Sequence, residues 1–130
     1  MTLAKAPLVL FNESLNLTVN MSPELIQNIV KNITDNFPEA CQSMDCVKYD
    51  YDNLKFTFID YEDSVKYKVG PDEWLKAIPL MFTDKWPRGL TPYPPCSGDA
   101  DTWDRWLESV DADSHDAFAQ LAIFGEVIYG

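Results

Sequence analysis

The chain is short of positive charge. Its 130 residues carry 10 lysines and arginines against 21 aspartates and glutamates, a net charge of −11. Nucleic acid and anionic lipid surfaces both require basic patches, so direct binding to either is unexpected. No apolar run approaches the length of a membrane span. The opening stretch, Met1 to Phe11, has one lysine and a short apolar run from Ala6 to Phe11 without a small-residue cleavage site behind it. The expected location is therefore cytoplasmic. Cysteine is scarce and odd in number: Cys41, Cys46 and Cys96. A secreted disulfide framework normally has an even count, so reduced thiols are the simpler expectation.

Histidine is scarcer still. His115 is the only one, and it sits among carboxylates that would raise its pKa and make it a weak general base. The chain contains no Gly-x-Ser-x-Gly elbow, phosphate loop, dinucleotide fingerprint or His-Glu-x-x-His helix. The expectation is a protein that is not an enzyme and carries no cofactor. Zinc would have to be assembled from Cys41, Cys46, Cys96 and His115, with no second cysteine pair to complete a knuckle. Asp111 to Asp116 starts like a calcium loop, but Asp116 stands where glycine is needed and Ala122 where a bidentate glutamate is needed. No metal is expected, and a weak calcium site is the minor alternative.

What is present is a globular composition, 46% apolar and 13% aromatic, enough for one domain spanning 1–130 with a true core. Leu8 to Phe11 and Leu15 to Val19 read as short strands around an Asn12-Glu13-Ser14 turn. Ser22 caps and Pro23 opens a helix whose face is Leu25, Ile26, Ile29, Val30 and Ile33, with Pro38 as its stop. Residues 39–46 read as a loop. From Val47 to Val69 the period returns to two. Val47, Tyr49 and Tyr51 share a face, then Leu54, Phe56 and Phe58, then Val65, Tyr67 and Val69, with turns at Asp52-Asn53 and Glu62-Asp63. Lys48, Lys55, Lys66 and Lys68 fall mostly on the opposite face.

A helix from Gly70-Pro71-Asp72 carries Trp74, Leu75 and Ile78 until Pro79 kinks or ends it. Residues 87–98 form a proline-stiffened loop containing Pro92-x-x-Pro95. Asp101 to Val110 and Ser114 to about Ile128 are two further helices. The first turns Trp103, Trp106, Leu107 and Val110 inward; the second turns Ala117, Phe118, Leu121, Ala122 and Ile128 inward. The fold class is α+β: a small, mainly antiparallel sheet (three-strand meander 47–69 plus N-terminal strands) with about four helices packed on one side. Asn12, Asn16, Asn20 and Asn32 each begin a glycosylation sequon, expected to stay unmodified in a cytoplasm.

The charge is unevenly spread. Residues 99–116 hold Asp99, Asp101, Asp104, Glu108, Asp111, Asp113 and Asp116 against Arg105 alone, a net −6 in eighteen residues. Positions 101, 104, 108 and 111 are three, four and three apart, which puts them on one helical stripe opposite the tryptophans. Successive carboxylates would stand about 4.5–6 Å apart along the axis. That row loosely imitates the phosphates of a nucleic-acid strand, and a basic groove built for DNA or RNA could accept it. The plainer reading is a solvated helix face with acids that cap and favour helix starts.

The expected function is an acidic binding protein that docks through these seven residues on a basic partner protein, such as a nuclease. Its setting would be a phage-type anti-defence inhibitor or a nuclease-toxin immunity protein. The rival expectation is a structural or assembly subunit that homo-oligomerises through an apolar patch or a strand edge.

Overall fold

The computed structural model describes residues 3–4, 6–12, 15–37 and 41–129. Strands β1 (Leu8–Asn12) and β2 (Leu17–Met21) pair antiparallel as a separate two-stranded sheet, with Leu10 opposite Val19. Helix α1 (Pro23–Thr34) follows. The Ser22 hydroxyl accepts from the Leu25 N–H at 3.1 Å, as a cap should, and Pro23 sits where its missing N–H costs nothing. Leu25, Ile26, Ile29, Val30 and Ile33 are all buried.

The meander is β3 (Met44–Asp50), β4 (Lys55–Asp60) and β5 (Lys66–Val69), in that order across the sheet. Among the described residues three further helices follow: α2 (Pro71–Leu80), α3 (Ala100–Ser109) and α4 (Ala112–Phe124). One hydrophobic cluster runs through all of these elements. At its centre the Trp74 ring stacks on Phe118 at 5.6 Å and meets Phe37 and Phe56 at its other sides. Its indole N–H donates to the Leu54 carbonyl at 2.9 Å. A buried indole without that bond would leave an unpaired donor.

Several boundaries differ from those read off the sequence. β2 begins at Leu17 because Leu15 and Asn16 belong to the turn, where Asn16 takes φ 52° and the Leu15 N–H donates to the Asn12 carboxamide. Glu13, Ser14 and the helix stop expected at Pro38 lie outside the described residues. β3 starts inside the expected loop, at Met44. The register shifts between Cys46 and Lys48, so Val47 occupies a bulge. Val47 and Tyr49 are exposed, and Tyr51 enters a 3-10 turn (Tyr51–Asn53). Val65 is exposed and Tyr67 half-buried, leaving Val69 as the anchor of β5. Pro79 sits in the last turn of α2, which ends one residue later. α4 stops at Gly125, whose φ of 74° closes the helix in the left-handed region, so Ile128 lies beyond it and is exposed.

Candidate functional site

Helix α3 begins where Asp99 caps it. The Asp99 carboxylate accepts from the Thr102 N–H at 3.0 Å and from the Thr102 hydroxyl at 2.7 Å. Those bonds hold its carboxyl below the usual carboxylate range. The underside of α3 is fixed by two indoles. Trp103 and Trp106 are buried and meet edge-to-face at 5.4 Å. The Trp103 N–H donates to the Ser97 carbonyl at 2.7 Å, and the Trp106 N–H to the Pro92 carbonyl at 3.0 Å. The helix therefore cannot roll about its axis without breaking both bonds. Its outer side presents Asp101, Asp104 and Glu108, all exposed. Asp104 also accepts from the Asn28 carboxamide of α1 at 3.0 Å, a tie between the two helices.

The stripe expected to run on through Asp111 stops earlier. Val110 is extended, with ψ 151°, and its N–H still donates to the Trp106 carbonyl. Asp111 then caps α4, accepting from the N–H groups of Asp113 and Ser114. Asp113 is exposed in the first turn of that helix. Asp116, expected among the partner-binding acids, is 7% exposed and points inward. It accepts from the N–H groups of Gln42 and Ser43, from the Ser43 hydroxyl and from the Gln120 carboxamide. Its carboxylate ties down the segment that leads into β3, so it leaves the candidate surface. The structure thus keeps Asp101, Asp104 and Glu108 together, puts Asp113 on the next helix, and gives Asp99 and Asp111 capping duties at the two helix starts.

His115 also departs from expectation. Its carboxylate neighbours do not dominate: burial lowers its pKa below the usual histidine value, and Asp111 opposes that only in part. The two thiols of the β3 region are pushed upward, Cys41 strongly by burial and by Asp116, and Cys46 to about 11, also by burial. Thiols of this kind stay protonated near neutrality and are poor nucleophiles. Cys96 lies elsewhere, accepting from the Asn12 carboxamide through sulfur. Among the described residues no three His, Cys, Asp or Glu side chains converge as metal ligands. The calcium-like run from Asp111 to Asp116 forms a helix cap and the first turns of α4, not a loop. No helix among the described residues is long and apolar enough to cross a membrane.

Two further surfaces stand out, of which the sequence pattern marked only the second. The first is a groove of about 840 Å³ lined by Phe11, Leu15, Phe82, Trp86, Arg88 and Tyr93 among others. Its back wall is continuous with the layer under α3, because Phe82 contacts Trp103 and Trp86 contacts Trp106. Tyr93 is exposed, and its hydroxyl donates to the Arg88 carbonyl. The components come from three separate segments, so no local sequence window could have shown them together. The second is the outer face of the meander, where Lys48, Thr57 and Lys68 form one cross-strand row and Lys55 and Lys66 flank it. The bases, like the acids, are gathered on one side of an element.

Comparison with protein-family models, curated proteins and solved structures gave no match.

Proposed function

We propose that the protein is a non-enzymatic binding protein that docks on a basic surface of a nucleic-acid-handling partner, and that it acts by occupying that surface. A phage-type anti-defence inhibitor and an immunity protein for a nuclease toxin are the settings that suit such an action. The observation that carries this reading is the fixed aim of α3. Three exposed acids stand on a helix whose opposite side is held by two buried, hydrogen-bonded indoles. An orientation fixed in advance lets charge act on encounter with little ordering cost. Exposed ion pairs contribute little each. The affinity would come mainly from apolar contact, for which the aromatic groove beside the same tryptophan layer is the candidate, with Tyr93 and Arg88 of the residue types favoured at hot spots.

The test is the double variant Asp104→Lys, Glu108→Lys, which changes the local charge over residues 99–116 from −6 to −2. Its association rate with an immobilised basic nuclease is measured at low and high salt. A rate at least tenfold lower at low salt is expected, with a flatter salt dependence. An unchanged rate and an unchanged salt slope refute the reading.

A further inference from the structure

The β1–β2 hairpin ends in an open strand edge, and its chemistry specifies what can close it. Among the described residues β1 pairs only with β2. The carbonyl oxygen of Asn20, the partner of Val9, meets residue 98, where a Cβ would stand 2.0 Å from it, so it turns away from β1. Val9–Asn20 is therefore a non-bonded pair, and the alternate pairs Leu10–Val19 and Leu8–Met21 exchange the ladder bonds. The main-chain groups of Val9 and Phe11 then turn the other way, toward the open edge. The outward side chains are unusually apolar for a surface, with Val9 66% and Phe11 59% exposed.

We infer that this edge pairs antiparallel with the same edge of a second copy of the chain, about a two-fold axis through Leu10. Centred there, Leu10 faces Leu10 of the second copy, and Val9 faces Phe11 of the second copy. The symmetry repeats that aromatic–β-branched pair, a favourable cross-strand combination. Each of the two pairs exchanges both of its main-chain hydrogen bonds, because Val9 and Phe11 are the residues whose N–H and C=O groups face outward. Leu8–Asn12 carries no charge. In a protein of net charge −11, an uncharged strand lets two copies meet without like charges directly opposed. Pairing also turns a two-stranded sheet, marginal by itself, into one of four strands. The contact is small and belongs with weak, reversible interfaces.

This inference does not rest on the acids of α3, although Phe11 also lines the aromatic groove, and it responds to salt with the opposite sign. Sedimentation velocity over a wide range of protein concentration gives the oligomeric state. Raising salt from about 0.1 M to about 1 M shortens the screening length from ~10 Å to ~3 Å and should favour the dimer by damping the repulsion of two acidic chains. Amide exchange gives the register. The Val9 and Phe11 amides should exchange at least tenfold more slowly at high protein concentration, with Leu8 and Leu10 unchanged. The double variant Val9→Lys, Phe11→Lys should remain monomeric; should it misfold, the wild-type exchange pattern still decides. A monomer at every concentration, assembly beyond the dimer, or protection that appears at Leu10 in place of Val9 and Phe11 overturns the inference. The Asp104→Lys, Glu108→Lys variant should dimerise like the wild type whether or not it docks on a nuclease.

Discussion

Removing the Asp116 carboxylate should unfold the protein far more readily, although the residue belongs by sequence to the most acidic surface run. In Asp116→Ala, the Gln42 and Ser43 N–H groups lose acceptors at 3.0 and 3.1 Å, and the Gln120 carboxamide loses one at 2.8 Å. Gln120 is 1% exposed, so water cannot readily replace the bond. Gln42 is exposed, so its N–H can turn to solvent. A hydrogen bond to a charged group contributes ~1.5–3 kcal/mol, and discounting the solvated partner leaves two bonds and a loss of roughly 3–6 kcal/mol. For a chain of this length that corresponds to about 10–20 °C in melting temperature. The assay is urea unfolding at pH 7, with Asp113→Ala as the exposed control one helical turn earlier. Asp116→Asn should lose less than Asp116→Ala, since its carbonyl oxygen still accepts from the Gln42 and Ser43 amides. A loss below about 1 kcal/mol for Asp116→Ala, the range of ordinary surface substitutions, would refute the inward-facing role.

Two further outcomes are expected. Gly98→Ala should destabilise the fold by forcing the 97–98 backbone away from β2, because its Cβ would stand 2.0 Å from the Asn20 carbonyl oxygen; an unchanged urea midpoint would contradict the close approach. The stability contribution of His115 should be complete above its ordinary pKa of 6.5 and decline as pH falls from there toward its lower folded value, since the unfolded chain then binds the proton first. Urea midpoints at pH 7.5 and 5.5 check the direction, and His115→Gln should flatten the difference.

The elements that a period could reveal were legible in the sequence. α1 has its cap, its proline and an apolar stripe, and all five predicted core residues are buried. Leu54, Phe56 and Phe58 likewise alternate into the core, although Leu54 must take φ 54° to do so. What escaped notice depends on single residues that break a period. Val47 adds one residue to β3: before it Met44 and Cys46 pair with the core-side Asp60 and Phe58, after it Tyr49 pairs with Phe56 while Lys48 keeps the outer face, so one period does not run through the whole strand. Val110 continues the apolar spacing of α3 while its backbone is already extended, and the break is signalled only by Asp111 and its capping of Asp113 and Ser114. α4 is buried from Ser114 through Leu121 without interruption. A helix covered on every side has no polar face, so helical spacing could not tell an inward Asp116 from an outward one. Its partner Gln120, four residues on, also accepts from the Ile128 and Tyr129 N–H groups. The Tyr129 hydroxyl in turn donates to Asp60 at 2.6 Å. That chain of bonds joins β3, α4, the C-terminal segment and the end of β4, and it exists only after folding.

The acids of α3 are energetically inexpensive, and this limits what their presence alone can mean. Like charges three or four residues apart on a helix cost a few tenths of a kcal/mol per pair. Burying one tryptophan contributes several kcal/mol, so Trp103 and Trp106 outweigh the whole row and would hold a neutral helix equally well. Stability therefore neither requires nor forbids the acids. Direction is a different matter. An apolar underside alone would fix only which face is inward, leaving rotation of some tens of degrees at small cost. The indole bonds to Ser97 and Pro92 remove that freedom, because each indole has a single N–H and a buried donor left unpaired is costly. The two acceptors lie on the proline-stiffened loop, so the loop and the helix fix each other. A row of charge intended only for solubility gains nothing from being aimed, whereas one that meets a complementary surface gains on every encounter. For that reason α3 is the better candidate for recognition than the equally charged but differently employed residues at its ends.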